Sequence, residues 1–158
     1  GYIPVPGKRI WSAAIFRRGI LPAIPITGGY TLDKTAYMLY NNIMAYTVVF
    51  YQDENGGSQP LDYLKSLDRK HEAKAKKWLA LLQEYGPNLP RPYADVLERN
   101  VRELRPAIEH HQHRFLYVIS GKTILITNAF LKKTQAAPKS EIERSRRVFA
   151  DWLRRKGD

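Results

Sequence analysis

Residues 113–130 read HRFLYVISGKTILITNAF, and this stretch decides the fold. It divides at Ser120-Gly121 into two runs rich in β-branched and aromatic residues, His113 to Ser120 and Thr123 to Phe130. Such side chains fill a pleated, half-buried surface, and a Ser-Gly break between two such runs marks a tight hairpin. Strands joined that closely pair antiparallel, so an antiparallel sheet is the frame onto which the rest of the chain must fit.

Working outward, Val101 to Arg105 (VRELR) reads as a further short strand, and Ala45 to Tyr51 (AYTVVFY) as the first of the series. Between these two, Asn55-Gly56-Gly57 is a loop, followed by Ser58 as an N-cap, Pro60 near the first helical position and Asp62 in the first turn. Leu61, Leu64 and Leu67 give a short amphipathic helix there. A longer one runs from Arg69 to Tyr85, with Ala75, Trp78, Leu79 and Leu82 on one stripe, and Gly86-Pro87 ends it. After the hairpin, the loop Lys132 to Ala137 leads through Pro138 into a final helix. Its expected buried face is Ile142, Phe149, Trp152 and Leu153, and its wet face Arg144, Arg146, Arg147, Arg154 and Arg155. The order β-α-α-β-β-β-α predicts an α+β fold: a mostly antiparallel sheet of about four strands with two N-terminal helices and a C-terminal helix on one face, the other face open to a ligand.

Residues 1–43 contrast with this. Pro4, Pro6, Pro22 and Pro25, with Gly7, Gly19, Gly28 and Gly29 among them, interrupt any period, so the segment reads as a poorly patterned leader, flexible or upstream read-through, ahead of a domain at 44–158. Within it, Leu32, Ala36, Leu39 and Ile43 offer a short helix between Tyr30 and Ile43.

Bulk properties narrow the function classes. A chain of 158 residues, 44% hydrophobic, has room for one folded domain and an appendage. A net charge of +11 attracts polyanions, nucleic acid above all. With no cysteine, disulfides, thiolate-bound zinc and thiol catalysis are excluded, and a reducing, cytoplasmic setting is expected. No apolar run approaches the ~20 residues of a membrane span, and Arg17, Arg18 and two prolines break the apolar stretch 10–26.

Three basic groups lie where the predicted strands end or begin: Glu103-Leu104-Arg105, Arg114, and Lys132-Lys133. If the strands are neighbours, their cations can converge, although Arg114 and Tyr117 have opposite parity and a regular strand separates them. The fragments VRELR (101–105), RFLY (114–117), FLKKT (130–134) and PKSEI (138–142), in this order and spacing, resemble the phage-derived HigB-like branch of the RelE-type toxins, a likeness that extends from Met44 to the end. The resemblance implies a curved antiparallel sheet with helices behind it. It implies metal-independent cleavage of messenger RNA in the ribosomal decoding site, without cofactor, by attack of the 2′-hydroxyl. It also implies a small helix-turn-helix antitoxin as partner, with the toxin a monomer when free and part of a larger complex when neutralised.

Such cleavage requires deprotonation of the 2′-hydroxyl, stabilisation of extra charge on phosphorus and protonation of the leaving oxygen. Arg105 and Arg114, always charged and able to bind phosphate in a bidentate way, are expected to position it and stabilise the transition state. Lys132 and Lys133 are expected to assist, one of them in proton transfer if cationic neighbours depress its pKa. Tyr117 is a candidate for stacking on a base or donating a hydrogen bond, and Glu103 for orienting an arginine. Lys74 and Lys77 on the long helix, Arg102 and His113 are the expected RNA contacts.

Each has a plainer reading: a surface ion pair for Glu103 and Arg105 worth under ~1 kcal/mol, a core residue for Tyr117, a solvated loop for the lysines. His110, His111 and His113 read as a polar hairpin tip. Acid–base work is open to them, but no carboxylate or cysteine completes a metal set, and no metal is expected. Two other functions compete: a ParE-like poison of DNA gyrase on the same fold, and a nucleic-acid-binding sheet without catalysis. The Lys132-Lys133 pair favours the nuclease.

Overall fold

The computed structural model describes residues 46–157 in full and, ahead of them, the backbone of residues 25–26 and 30–31. Those two pieces, β1 (Pro25–Ile26) and β2 (Tyr30–Thr31), pair antiparallel. Tyr30 and Thr31 are thus strand where the leader's helix was expected to begin. The remainder of that expected helix, and the leader character of residues 1–43, lie outside the described residues.

From residue 46 the order is β3 (Thr47–Phe50), α1 (Gln59–Ser66), α2 (Arg69–Tyr85), a 3₁₀ turn (Gly86–Asn88), β4 (Ala94–Glu98), β5 (Val101–Leu104), β6 (Ala107–Ile108), β7 (His111–Ser120), β8 (Thr123–Lys132) and α3 (Lys139–Lys156). The fold is α+β, as expected from the order of elements. The sheet runs β3-β8-β7-β5-β4, with β6 paired to the start of β7. All these pairings are antiparallel except β3 with β8, which is parallel, so the sheet is mixed.

The sheet has six strands where about four were expected. The additional ones are β4 and β6, both short and marginal in pattern. β4 lies at an edge, with Val96 52% exposed and Glu98 in water, so its sequence carries half of the usual strand signal. No helix among the described residues is long and apolar enough to cross a membrane.

Helix boundaries follow local chemistry. The Ser58 side chain accepts from the Leu61 amide at the start of α1, and Asp68 caps α2 by accepting from the His71 amide at 2.9 Å. The Gln59 side chain then fastens α1 to β8, donating to the Ala129 carbonyl at 2.7 Å and accepting its amide at 2.8 Å.

Alternation along β7 decides the layering. Phe115 and Tyr117 point to one face, where they join Leu64 of α1, Ala75, Leu79 and Leu82 of α2, and Ile124 and Ile126 of β8. Leu116 points to the other, where it meets Val101 and Ile142 of α3. The C-terminal helix therefore lies on the face opposite the helix pair, which corrects the expectation of three helices on one face and an open face behind. The physical reason is that β7 and β8 are apolar at both parities, so both faces of the hairpin need cover.

The contact with α3 is partly polar. A bulge in β8 turns two consecutive side chains, Thr127 and Asn128, to this face. The Thr127 hydroxyl lies 2.7 Å from that of Ser145, and Asn128 donates to the Glu141 carboxylate at 2.7 Å. Ile142 and Ser145 are the buried positions of α3; Phe149 and Trp152 are half-buried, and Leu153 is 43% exposed, against expectation.

The end of α2 depends on Gly86. Its φ is +54°, and a Cβ there would lie 2.4 Å from the Tyr46 ring. Gly86→Ala combines backbone strain with a ring clash and is expected to cost about 2–4 kcal/mol. Urea unfolding of the two proteins checks this, since an unchanged midpoint would mean that Tyr46 is free to move aside.

Candidate functional site

The register brings the predicted basic groups together. Glu103 of β5 stands opposite Leu116, Asp95 of β4 opposite Glu103, and Lys132 of β8 opposite Gln112 of β7. These residues and Arg114 share the parity of the α3 face, at the end of the sheet where β7 begins and β5 and β8 finish. Arg105, one residue past β5, is held there by its amide, which donates to the Tyr93 carbonyl at 2.8 Å.

Arg114 is the buried centre of this cluster, 2% exposed beside Glu103 at 4%. Its Nη1 donates to the His113 carbonyl at 2.9 Å and its Nη2 to the Gln112 side-chain oxygen at 3.0 Å. Nε lies 3.4 Å from Glu103 Oε2, within ion-pair range, yet neither atom has a hydrogen-bond partner. Arg105 spans the two carboxylates, 3.6 Å from Glu103 and 4.0 Å from Asp95, and Asp95 is held ionised chiefly by its hydrogen bond from Arg91. Lys132 is half-buried, and burial, with Arg114 next, pushes its pKa below the ordinary lysine value. Lys133 lies exposed in the loop beyond.

A cleft of about 310 Å³ opens on this cluster, lined by Arg105, Ala107, Gln112 and Arg114 from the sheet side, by Lys74 and Trp78 of α2, and by Pro92. The Lys74 ammonium sits 4.3 Å from the Trp78 ring centre. Lys77 lines a neighbouring groove with Lys70, Lys74 and Glu109. The chemistry on offer is anion binding: accessible cations on the rim, a buried guanidinium behind them, and an aromatic surface at one side.

The other sequence candidates lie elsewhere. Tyr117, proposed with Arg114, is 1% exposed on the opposite face, within the core under the helix pair. Burial raises its pKa to about 12, and the structure does not bring it to the cleft. Arg102 is on that face too, donating to the Pro87 carbonyl at 3.2 Å. His113 is buried, not part of a hairpin tip as the sequence suggested, because β7 begins two residues earlier at His111. Its Nδ1 is 2.7 Å from the Tyr63 hydroxyl and its Nε2 2.7 Å from His71 Nδ1. Burial, reinforced by His71 and His111, lowers its pKa to about 4.

Sequence reasoning missed Asp95, Gln112 and Pro92 as parts of the site and read Trp78 as core stripe alone. Asp95 belongs to the unrecognised β4, and Gln112 became visible once β7 was extended. No metal-binding group of three or more His, Cys, Asp or Glu side chains is found among the described residues.

No curated protein matches the chain. Residues 62–150 match the family described as phage derived protein Gp49-like (DUF891), a span that runs from α1 to the middle of α3 and includes every strand of the cleft. The matched span covers more than half of the sequence, and the chain belongs to the phage-derived Gp49-like (DUF891) family.

Proposed function

We propose that this protein is the toxin of a toxin–antitoxin pair and cuts messenger RNA on the ribosome without a metal ion, by attack of the 2′-hydroxyl on the adjacent phosphate. The observation that carries this reading is the gathering of Arg105, just past β5, Arg114 of β7 and Lys132 of β8 around Glu103, beside a cleft that Arg105 and Arg114 line together with Lys74 and Trp78 of α2. Membership of the Gp49-like family, whose kinship with HigB-like toxins the sequence motifs also carry, agrees with it.

In this reading Arg105 and Lys132 meet the scissile phosphate, where their charge stabilises the extra negative charge of the transition state. A lysine with a lowered pKa is also a stronger acid, which suits Lys132 to protonate the departing 5′-oxygen. Arg114 acts from behind: its hydrogen bond fixes the Gln112 amide, so that the Gln112 side-chain nitrogen is left to donate toward the cleft. Lys74, Lys77 and exposed Lys133 extend the basic surface for RNA on either side. The partners are the ribosome with its message and a helix-turn-helix antitoxin.

Primer extension on a defined message in a purified translation system tests this reading. Discrete new 5′ ends that require ribosomes are expected with the intact protein and are expected to fade in Lys132→Ala and Lys133→Ala variants. An active, antitoxin-free preparation that yields no new ends would overturn the nuclease reading, and inhibition of gyrase supercoiling in its place would favour the ParE-like one.

A further inference from the structure

Outside the cleft, three side chains are joined by two short polar contacts, and a carboxylate faces the end of the row. Tyr63 of α1 lies 2.7 Å from His113 Nδ1, and His113 Nε2 lies 2.7 Å from His71 Nδ1 of α2. His71 Nε2 in turn faces Asp68 Oδ2 at 3.8 Å. Both rings are buried, His71 8% exposed and His113 4%. Other charged or titratable groups facing them are Lys70 of α2, paired with Glu109 from the turn before β7, and His111 and Arg114 of β7.

Proton counting fixes the direction of this chain. Two neutral imidazoles carry two N–H groups between them. Asp68, already accepting the His71 amide and held below the ordinary carboxylate range, is ionised, so His71 presents Nε2–H to it. His71 Nδ1 is then an acceptor, and the short contact between the rings takes the second N–H, from His113 Nε2. That leaves His113 Nδ1 bare, to accept from the Tyr63 hydroxyl. Both short contacts are matched in this arrangement, and the Asp68 charge facing His71 Nε2 favours it over the reverse.

A third proton has one consequence wherever it sits. On His113 it occupies Nδ1 directly. On His71 it fills Nδ1, which then donates to His113 Nε2 and drives the His113 proton across to its own Nδ1. In both cases His113 Nδ1 becomes a donor, and the Tyr63 hydroxyl must change from donor to acceptor.

We propose that Tyr63, His113, His71 and Asp68 form a proton-controlled latch that fastens the helix pair to β7 and reverses the Tyr63–His113 hydrogen bond on uptake of one proton. The latch ends one residue from Arg114, whose Nη1 takes the His113 carbonyl, so its state bears on the cleft through a single main-chain position. Burial in apolar surroundings opposes the extra proton, and the latch stays in its neutral form at neutral pH. The sign of the linkage follows: His113 titrates below its unfolded value of about 6.5, so the stability contributed by the neutral form is lost as pH falls from there through about 4.

The test is a pH titration of the whole chain, ¹⁵N-labelled at histidine, followed by long-range ¹H–¹⁵N correlation, with Asp68→Asn as the second protein. At pH 7.5 both His71 and His113 are expected as Nε2–H tautomers, and His113 Nδ1 is expected to gain its proton well below the ordinary histidine value of 6.5. Asparagine keeps the cap of α2 but removes the charge that favours the third proton, so the His113 midpoint is expected to move further down. Simple loosening of the fold would move it up, toward the value of a free imidazole. An Nδ1–H tautomer for His71 at pH 7.5, a His113 midpoint at the ordinary histidine value of 6.5, or an Asp68→Asn midpoint that stays or rises would each overturn the latch.

Discussion

Replacing Arg114 with alanine is expected to lower folding stability by about 3–5 kcal/mol, the largest effect of any single change in the cleft. The guanidinium is buried and stands beside an equally buried Glu103, 3.4 Å away. Alanine leaves that carboxylate, in a place water does not reach, with the half-exposed Arg105 at 3.6 Å as its remaining charge partner, and it also removes the donors to the His113 carbonyl and to Gln112. Two ions already out of water gain little net from one another, so the loss comes mainly from stranding the survivor. The double variant Arg114→Leu with Glu103→Leu is therefore expected to recover most of what Arg114→Ala loses. Urea unfolding of the parent, Arg114→Leu, Glu103→Leu and the double closes the cycle. A double variant as unstable as the sum of its singles would mean that the two side chains stabilise the fold independently. The result also bears on how an inactive Arg114 variant is to be read: loss of cleavage has to be measured at a temperature where the variant is folded.

Lys132→Ala is expected to act in the opposite way, on the reaction and not on the fold. The side chain is half-buried at the end of β8, its strand pairing is made by the backbone, and truncation is expected to change stability by about 1 kcal/mol or less. On the proposed reading its ammonium supplies charge to the phosphate and a proton to the leaving oxygen. Its removal is then expected to slow single-turnover cleavage by about 10²–10³-fold with ribosome affinity little changed. Lys132→Arg separates the two roles, because arginine keeps the charge but does not release a proton. It is expected to recover part of the rate and to abolish the fall at alkaline pH. In the parent that fall begins below the ordinary lysine range, since burial and Arg114 lower the Lys132 pKa and the donor is lost as pH rises through it. A variant that cleaves at the parental rate would remove Lys132 from the chemistry and leave Arg105 as the main phosphate contact.

Much of the architecture was legible residue by residue. The hairpin was announced by two runs of β-branched and aromatic side chains around Ser120-Gly121, and α2 was bounded correctly from Arg69 to Tyr85 because its apolar stripe and its Gly86-Pro87 stop are local signals. Strand β4 was not legible, since an edge strand buries one side and the run from Ala94 to Glu98 alternates too weakly. The side taken by α3 was not legible either. Thr127 and Asn128 face the helix together because of a bulge, and a bulge defeats any argument from parity. Leu153 looked like core from its spacing, yet the covered stripe of α3 runs through Ile142, Ser145, Phe149 and Trp152, and Leu153 lies at its margin, 43% exposed.

By itself the sequence determined the class of fold, the basic character of the surface and the candidacy of Arg105, Arg114 and Lys132, because charge and period are properties of residues in order. What only the tertiary structure decided is which of these cations is accessible. Parity along the strand already separates Arg114 from Tyr117, but only burial shows that Arg114 lies behind the cleft and Tyr117 within the opposite core. The histidines, a polar run in the sequence, became a directed chain only when α1 and α2 brought Tyr63, Asp68 and His71 against β7. Burial and partner geometry depend on which segments meet, and that is set by the packing of both faces of the sheet, not by any stretch of the chain alone.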